Sequence, residues 1–176
     1  TVLYHFLKYD YKCVSIKDNI WYKYRNHRWV KSDSGTQLRK SISVELRELY
    51  RIRATKYINQ SGTEDTAKFT TKADKCLEIV QRLGRTNDKK NIMTEAKELF
   101  HDPLFMDKLD INPYLLCFEN GVVDFKEKVF RKGYPEDYVS KSTCIDYVAK
   151  NDTKTIAEIN DFMAKLFPRP QLRDYM

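Results

Sequence analysis

The fold is most readily predicted from one stretch of the sequence, Asn112-Pro113-Tyr114-Leu115-Leu116-Cys117-Phe118-Glu119-Asn120-Gly121-Val122-Val123-Asp124-Phe125. Two apolar runs, residues 115–118 and 122–125, flank Asn120-Gly121. Asn-Gly between two β-prone runs is typical of a tight hairpin turn in which both turn residues take positive φ. The sequence therefore predicts an antiparallel β-hairpin in the C-terminal half, with Asp124 stabilising a turn.

Turns and one helix are predicted downstream of this hairpin. Residues 126–128 form a turn into a short strand at 129–131, and Tyr134-Pro135-Glu136-Asp137-Tyr138 forms another turn before a strand at 142–148. Thr155-Ile156-Ala157-Glu158 has the pattern of a capping box. The helix that it begins ends at Pro168 and carries an apolar side, consisting of Ile156, Ile159, Met163, Leu166 and Phe167.

A second hairpin is predicted near the N-terminus, after a short helix at residues 2–7 and a strand at 11–16. Both tryptophans, Trp21 and Trp29, lie in it. With a two-residue turn at Arg25-Asn26, Tyr22 pairs with Trp29 and Tyr24 with His27, and the basic residues occupy the other face.

Helices are predicted between the two hairpins. The first spans about residues 36–59 and is amphipathic, with Lys40, Arg47 and Arg51 close together on its basic side. Its apolar side consists of Leu38, Ile42, Leu46, Leu49 and Ile52. A loop at 60–67 contains Gly62, a second helix spans 70–83 before Gly84, and a third, capped by Thr86 or Asn87, reaches residue 100. A short turn after Pro103 follows. The predicted class is α+β, predominantly helical, with small antiparallel β-hairpins near the N-terminus and in the C-terminal half.

Charge is distributed unevenly along the 176 residues, whose net charge is +7. Residues 1–100 carry a net +9 and residues 101–176 a net −2, and residues 23–56 alone hold ten basic and three acidic residues. Clustered cations bind phosphates through counterion release. A solvated, lysine-rich surface has the same composition, so charge indicates nucleic acid without distinguishing the two interpretations.

The sequence lacks the common catalytic motifs. It has no Gly-rich phosphate loop, no GxSxG, and no histidine pair with metal-ligand spacing. The four cysteines are far apart, which favours reduced cysteines of an intracellular protein over a zinc site. Adjacent acids occur as Glu64-Asp65 and Glu136-Asp137, and a turn explains Asp124 more simply than a metal does. We therefore expect no catalytic residue, metal or cofactor in this chain, and no apolar run is long enough to span a bilayer.

Three segments resemble, in order, blocks of a known family. Trp21-Tyr22-Lys23-Tyr24 with His27-Arg28-Trp29 resembles its tryptophan hairpin, residues 112–125 resemble its Asn-Gly-Val block, and residues 134–138 resemble its Pro-Glu-Asp-Tyr turn. The family is the domain that precedes the superfamily-three helicase motor in poxvirus-type helicase–primases, giant DNA viruses and some phages. The likeness covers about residues 11–167, and its motif residues are Trp21, Trp29, Asn120, Gly121, Asp124 and Pro135.

The resemblance implies a parent protein with a primase-like region before this domain and a ring-forming, ATP-driven DNA helicase after it. ATP and Mg²⁺ would belong to the parent motor. Residues 1–167 would form the linker or collar domain, and residues 168–176, which resemble the first turn of a further helix, would begin the connection to the motor. Single-stranded or forked DNA and other copies of the parent would be the partners, at a site of viral replication in the host cell, expected in the cytoplasm.

Two sets of basic residues are the candidate DNA contacts. Lys23, Arg25, Arg28 and Lys31 belong to the predicted hairpin, and Lys40, Arg47 and Arg51 to the predicted helix. Trp21 or Trp29 could stack on bases if exposed, although a tryptophan in a hairpin usually packs. The alternatives are a pure assembly module without DNA contact and a small metal-dependent nuclease.

Overall fold

The computed structural model describes residues 2–60, 66–150 and 152–175. It has the α+β architecture predicted from the sequence, with helices between and after two three-stranded antiparallel sheets. The elements are α1 (Val2–Leu7), β1 (Tyr11–Ser15), β2 (Ile20–Arg25), β3 (Arg28–Ser32), α2 (Thr36–Ser41), α3 (Arg47–Gln60), α4 (Thr66–Gly84), α5 (Thr86–Leu99), α6 (Phe105–Lys108), β4 (Leu115–Phe118), β5 (Gly121–Asp124), β6 (Val129–Arg131), α7 (Thr153–Leu166) and α8 (Pro170–Tyr175).

The N-terminal hairpin is confirmed, but its predicted register is wrong. Tyr24 lies opposite Trp29, and Tyr22 lies opposite Lys31. The turn is Asn26-His27, whose φ angles of 49° and 62° are the positive values that a two-residue hairpin turn requires. Because Tyr22 and Lys31 share a face, the prediction that the basic residues all lie on the other face is also wrong.

The two tryptophans are buried on opposite faces of the first sheet. Trp21 pairs with Cys13 and packs against the helices, at 6.0 Å between its ring centre and that of Phe100. Trp29 faces the other way, with its ring centre 5.1 Å from that of Phe105. Both indoles are at most 1% exposed, so neither is available to stack on a base. The sheet is thus packed on both sides.

The helix predicted at 36–59 is present, but a π-helical turn at Ile42–Leu46 separates α2 from α3. Leu38, Ile42 and Leu46 are buried as predicted, whereas Leu49 and Ile52 are 41% and 58% exposed. A π turn has more residues per turn than an α-helix and therefore rotates the residues that follow it. The predicted burial of Leu49 and Ile52 is wrong for this reason.

The second sheet confirms the predicted C-terminal hairpin but changes the role of its glycine. Gly121 pairs with Phe118, so the turn is Glu119-Asn120, and neither Asn120 nor Gly121 has positive φ. A Cβ on Gly121 would lie 2.5 Å from the Phe130 ring. Glycine is required here by close packing across the strands rather than by a turn conformation.

Several local boundaries also differ from the predictions. The chain does not return as a strand at 142–148, where Cys144 takes a φ of 59°, although the Thr143 N–H still donates to the Cys117 carbonyl. Helix α7 begins before the proposed capping box, because the N–H of Thr155 donates to the Asp152 carboxylate. A strand would need continuous extended backbone, and a helix starts where a side chain first satisfies its free N–H groups.

The helices between the sheets follow the sequence more closely. Helix α5 buries Met93 and Ala96 as predicted, but no side chain caps it, and Thr86 is its first residue. Of the loop predicted at 60–67, residue 60 belongs to α3 and residues 66–67 to α4, while residues 61–65 lie outside the described residues. Within the described chain, every helix is too short or too polar to cross a membrane.

Candidate nucleic-acid interface

The three recognisable motifs meet at one junction between β3 and the second sheet. The indole N–H of Trp29 donates to the Pro135 carbonyl at 2.8 Å. The Trp29 backbone N–H donates to the Val139 carbonyl at 2.7 Å. The Arg28 guanidinium donates to the Glu119 carboxylate at 2.6 Å, which lowers the pKa of Glu119. Segments more than 90 residues apart are thus held together at this place, which we call the motif junction.

A second ion-pair cluster supports the motif junction from within the second sheet. Arg131 donates to both oxygens of Asp137, at 2.9 and 2.8 Å, and to Asp124 at 3.3 Å. The backbone N–H of Glu127, and then Arg131, lower the pKa of Asp124. The hydrogen bonds that Arg131 donates to Asp137 and Asp124 raise the pKa of Arg131. Asp124 therefore holds a turn and a cation in place.

Asn120 lies in the β4–β5 turn and acts there through its side chain rather than through a positive φ angle. Its amide donates to the Tyr147 carbonyl at 3.0 Å and accepts from the Tyr147 N–H at 2.8 Å. This pair imitates one rung of a β-ladder and fixes the 140s segment beside β4. Asn120 thus contacts other parts of the fold, and the motif residues Trp21, Trp29 and Gly121 are buried within it.

The predicted cations of the first hairpin, together with Lys40 of α2, divide into two groups. Arg28 is held by Glu119 at the motif junction, and the Lys23 ammonium lies 5.2 Å from the centre of the Tyr11 ring. Arg25, Lys31 and Lys40 are exposed and form no ion pair within the described residues. The structure does not bring the seven predicted cations together into one site.

A denser group of cations surrounds the start of α3. The Arg47 guanidinium donates to the Val80 carbonyl of α4 at 3.2 Å, and Arg51 pairs with Glu48 at 3.3 Å. From α5, the Lys89 ammonium donates to the Ser43 hydroxyl at 3.2 Å. A shallow depression of about 350 Å³ lies along Arg47 and Arg51.

The connection between α4 and α5 brings a further cation to this place. A Cβ on Gly84 would lie 3.7 Å from the Arg47 guanidinium, and Arg85 follows immediately. We call the group Arg47, Arg51, Arg85 and Lys89 the basic corner. Among the described residues, Glu48 is the only carboxylate that contacts one of these four cations. The basic corner differs in this respect from the motif junction, where carboxylates hold the guanidinium groups.

Two residues of the basic corner, Arg85 and Lys89, were missed from the sequence. They lie far along the chain from Arg47, and only the antiparallel packing of α3 and α4 brings them close. The signal that could have indicated them is local, since residues 81–90 contain Arg82, Arg85, Lys89 and Lys90 with a single acid, Asp88. Clusters of this kind are typical of phosphate-binding surfaces.

The described residues contain no group of three or more His, Cys, Asp or Glu side chains placed to hold a metal ion. Glu136 and Asp137 lie in the turn beside Arg131, and Glu64-Asp65 lies outside the described residues. Cys13, Cys76 and Cys117 are buried and Cys144 is exposed, all four as free thiols. Burial raises the pKa of the Cys13 and Cys117 thiols, which keeps them protonated.

Comparison with known proteins gives consistent results. A family model described as "D5 N terminal like" matches residues 1–168. The chain is 35% identical over 173 residues to a "Putative helicase" of Acanthamoeba polyphaga mimivirus, a match that covers 96% of this chain and 18% of that protein. A "Putative helicase" of Frog virus 3 (isolate Goorha) is 28% identical over 180 residues, covering 84% and 18%. One of Invertebrate iridescent virus 3 is 35% identical over 98 residues, covering 54% and 10%. The chain thus spans less than a fifth of the length of these curated relatives.

Proposed function

This chain belongs to the D5 N terminal like family, and we propose that it is a non-catalytic domain of a viral DNA replication helicase–primase. In this role it links a primase region to an ATP-driven helicase motor and touches DNA through the basic corner. The names of the relatives support the helicase context. ATP and Mg²⁺ act in the parent motor, and the parent works as a ring at the site of viral replication, in the host cytoplasm.

The observation that carries the DNA contact is the convergence of Arg47 and Arg51 of α3 with Arg85, in the α4–α5 connection, and Lys89 of α5. Arginine and lysine side chains on helices α3 and α5 bind phosphate oxygens without reading bases. Arg25, Lys31 and Lys40 are exposed. The expected binding is therefore sequence-independent and sensitive to salt, as suits a domain that follows DNA rather than selecting a site.

Fluorescence anisotropy with labelled single-stranded, duplex and forked oligonucleotides tests this contact. The double variant Arg51→Glu/Arg85→Glu is expected to weaken binding at least ~10-fold, equally for unrelated sequences. Wild-type affinity is expected to fall steeply between roughly 50 and 200 mM salt, and the variant's salt slope to be lower by about 2. Arg51 and Arg85 are exposed, so circular dichroism should show an unchanged fold.

The matched control carries the same change of charge on the β5–β6 turn, as Lys126→Glu/Lys128→Glu. Both lysines are exposed and far in sequence from the basic corner. Affinity equal to that of the wild type is expected for this control. Equal weakening by both variants would show that net charge alone explains the effect. A wild-type affinity that does not change with salt concentration would contradict the proposed DNA contact.

An assembly role without DNA contact is the second candidate, and α7 is the observation that favours it. Its apolar residues Ile156, Ile159, Phe162 and Leu166 are 45–60% exposed, and none of its residues is buried. A helix with such a stripe usually packs against another surface. Sedimentation velocity of the parent helicase would distinguish the roles, because Ile159→Asp should dissociate its oligomer while leaving DNA affinity unchanged.

A further inference from the structure

A groove runs between α3 and α4 on the side of α3 away from the basic corner. Its volume is about 890 Å³. Leu46 lies at its buried floor, and Leu49 and Ile52 are 41% and 58% exposed beside it. At about 100° per residue, residues 46, 49 and 53 differ in direction from residues 47 and 51 by about 100° to 160°. The groove and the basic corner are therefore separate surfaces of the same helix.

Four cations border this apolar floor, two from each helix: Arg53, Lys56, Lys72 and Lys75. The Arg53 guanidinium donates to the Tyr57 hydroxyl at 3.1 Å, and the Lys72 ammonium lies 5.6 Å from the centre of the Tyr57 ring. No Asp or Glu is among the described residues that line the groove. An occupant that brings both apolar surface and negative charge would complement these residues.

These two properties together narrow the class of ligand. A duplex presents phosphates but hides its apolar base faces, so it would leave Leu49 and Ile52 without partners. An amphipathic helix with acids beside its apolar stripe satisfies both, because its stripe fills the groove and its carboxylates meet the bordering cations. Helix α3 has 14 residues, or about 21 Å, which matches a ligand helix of about four turns.

We propose that the α3–α4 groove binds an acidic amphipathic helix of a partner protein. The ligand helix carries apolar residues at i, i+3, i+4 and i+7, and Asp or Glu residues on both flanks of that stripe. It lies between α3 and α4, with its stripe on Leu49 and Ile52. The acidic flanks pair with Lys56 on one side and Lys75 on the other.

A second copy of this chain fits the groove less well through its own amphipathic helix, α7. The acids of α7 already pair within that helix, Glu158 with Lys154 at 3.9 Å and Asp161 with Lys165 at 2.6 Å. Helix α7 therefore offers apolar surface but no net negative charge to the four cations. Charge complementarity favours a different, acidic helix.

The experiment uses a fluorescein-labelled designed peptide of about four helical turns, with leucines at i, i+3, i+4 and i+7 and glutamates on both flanks. One control peptide has the same composition in a permuted order that destroys the stripe, and another replaces glutamate by lysine. Anisotropy titrations use the 176-residue chain and three variants. Leu49→Ser/Ile52→Ser removes apolar contact, Lys56→Glu/Lys75→Glu removes charge contact, and Lys126→Glu/Lys128→Glu is the charge-matched control.

The expected result is saturable binding of the acidic amphipathic peptide, at least ~10-fold weaker for each control peptide and for each groove variant, with wild-type affinity for the control variant. All the substituted side chains are exposed, so thermal unfolding should be nearly unchanged. Three outcomes would overturn the proposal. They are equal binding of the permuted peptide, displacement of the peptide by an oligothymidylate, and concentration-dependent self-association that Leu49→Ser/Ile52→Ser abolishes.

Discussion

The motif junction and the α3–α4 helix pair use cations in opposite ways. At the motif junction each guanidinium is held by carboxylates, Arg28 by Glu119 and Arg131 by Asp124 and Asp137. Along α3 and α4 the cations outnumber the acids and face solvent. The junction contains the sequence motifs that identify the family, whereas the helix pair contains none of them.

This difference separates the residues that carry the family resemblance from the residues that we propose to bind partners. The fold leaves motif residues such as Trp29 and Gly121 little room to change. A phosphate-binding or helix-binding surface needs only a number of cations in roughly the right place. Substitutions at the junction should therefore lower stability, and substitutions on the helix pair should lower binding.

The largest expected effect is that of Trp29→Ala at the motif junction. The substitution removes a buried indole that packs on Phe105 and donates to the Pro135 carbonyl, so it should lower the free energy of unfolding by about 3–5 kcal/mol. Urea denaturation measures this change. Tyr9→Ala, at a position that is 59% exposed, should cost less than about 0.5 kcal/mol. A cost below about 1 kcal/mol for Trp29→Ala would show that the junction does not hold the two sheets together.

The elements of the fold were predictable where local pattern determines them. The alternation around Trp21 and Trp29, and the Asn-Gly pair, correctly indicated two hairpins. The register of the first was missed because Asn26 and His27, rather than Arg25 and Asn26, take positive φ. Both pairs contain an asparagine that tolerates this conformation, so the sequence does not distinguish them.

The contacts between residues that are distant in sequence could not be predicted from local sequence patterns. The π turn at Ile42–Leu46 leaves no mark in hydrophobic periodicity, so Ile52 was expected inside and is exposed. Lys89 joins Arg47 only through the packing of α3, α4 and α5. Of the four residues of the basic corner, Arg47 and Arg51 were predicted from the sequence. The DNA-binding role of all seven predicted cations stays a prediction.

Gly121→Ala should have the next largest effect, because strand β6 leaves no space beside Gly121 for a methyl group. Its Cβ would lie 2.5 Å from the Phe130 ring and 2.7 Å from the backbone oxygen of Arg131. We expect a loss of about 1–3 kcal/mol in urea denaturation.

Gly84→Ala, on the helix pair, is the matched comparison for Gly121→Ala. Its Cβ would meet only the Arg47 guanidinium, at an ordinary 3.7 Å. Replacing this helical glycine should leave stability unchanged or raise it by up to about 1 kcal/mol. The contrast between the two regions would be lost if both substitutions cost the same.

Arg28→Met should lower the melting temperature at pH 7 by roughly 2–4 °C, because it leaves Glu119 without its closest partner. The effect should depend on pH with a definite sign. Arg28 lowers the pKa of Glu119 in the folded state, so the stabilisation is complete above the ordinary carboxyl pKa of about 4.3 and is lost as pH falls below it.

Thermal unfolding of the wild type and Arg28→Met between neutral pH and about pH 3 measures this loss. The two melting temperatures should converge as Glu119 becomes protonated. Glu119→Gln is the control, since it should remove most of the pH-dependent difference. Parallel curves down to pH 3 would assign the effect of Arg28→Met to lost packing instead of the ion pair.

Arg51→Met should have the smallest effect on stability, although Arg51, like Arg28, pairs with a carboxylate. Its partner Glu48 lies 3.3 Å away on the same helix, and the two side chains are 64% and 54% exposed, compared with 20% and 30% for Arg28 and Glu119. Solvent screens such a pair, so the melting temperature should change by less than about 2 °C. The same substitution should still weaken oligonucleotide binding in anisotropy titrations. A larger loss of stability than Arg28→Met causes, with binding unchanged, would place Arg51 with the structural cations of the motif junction.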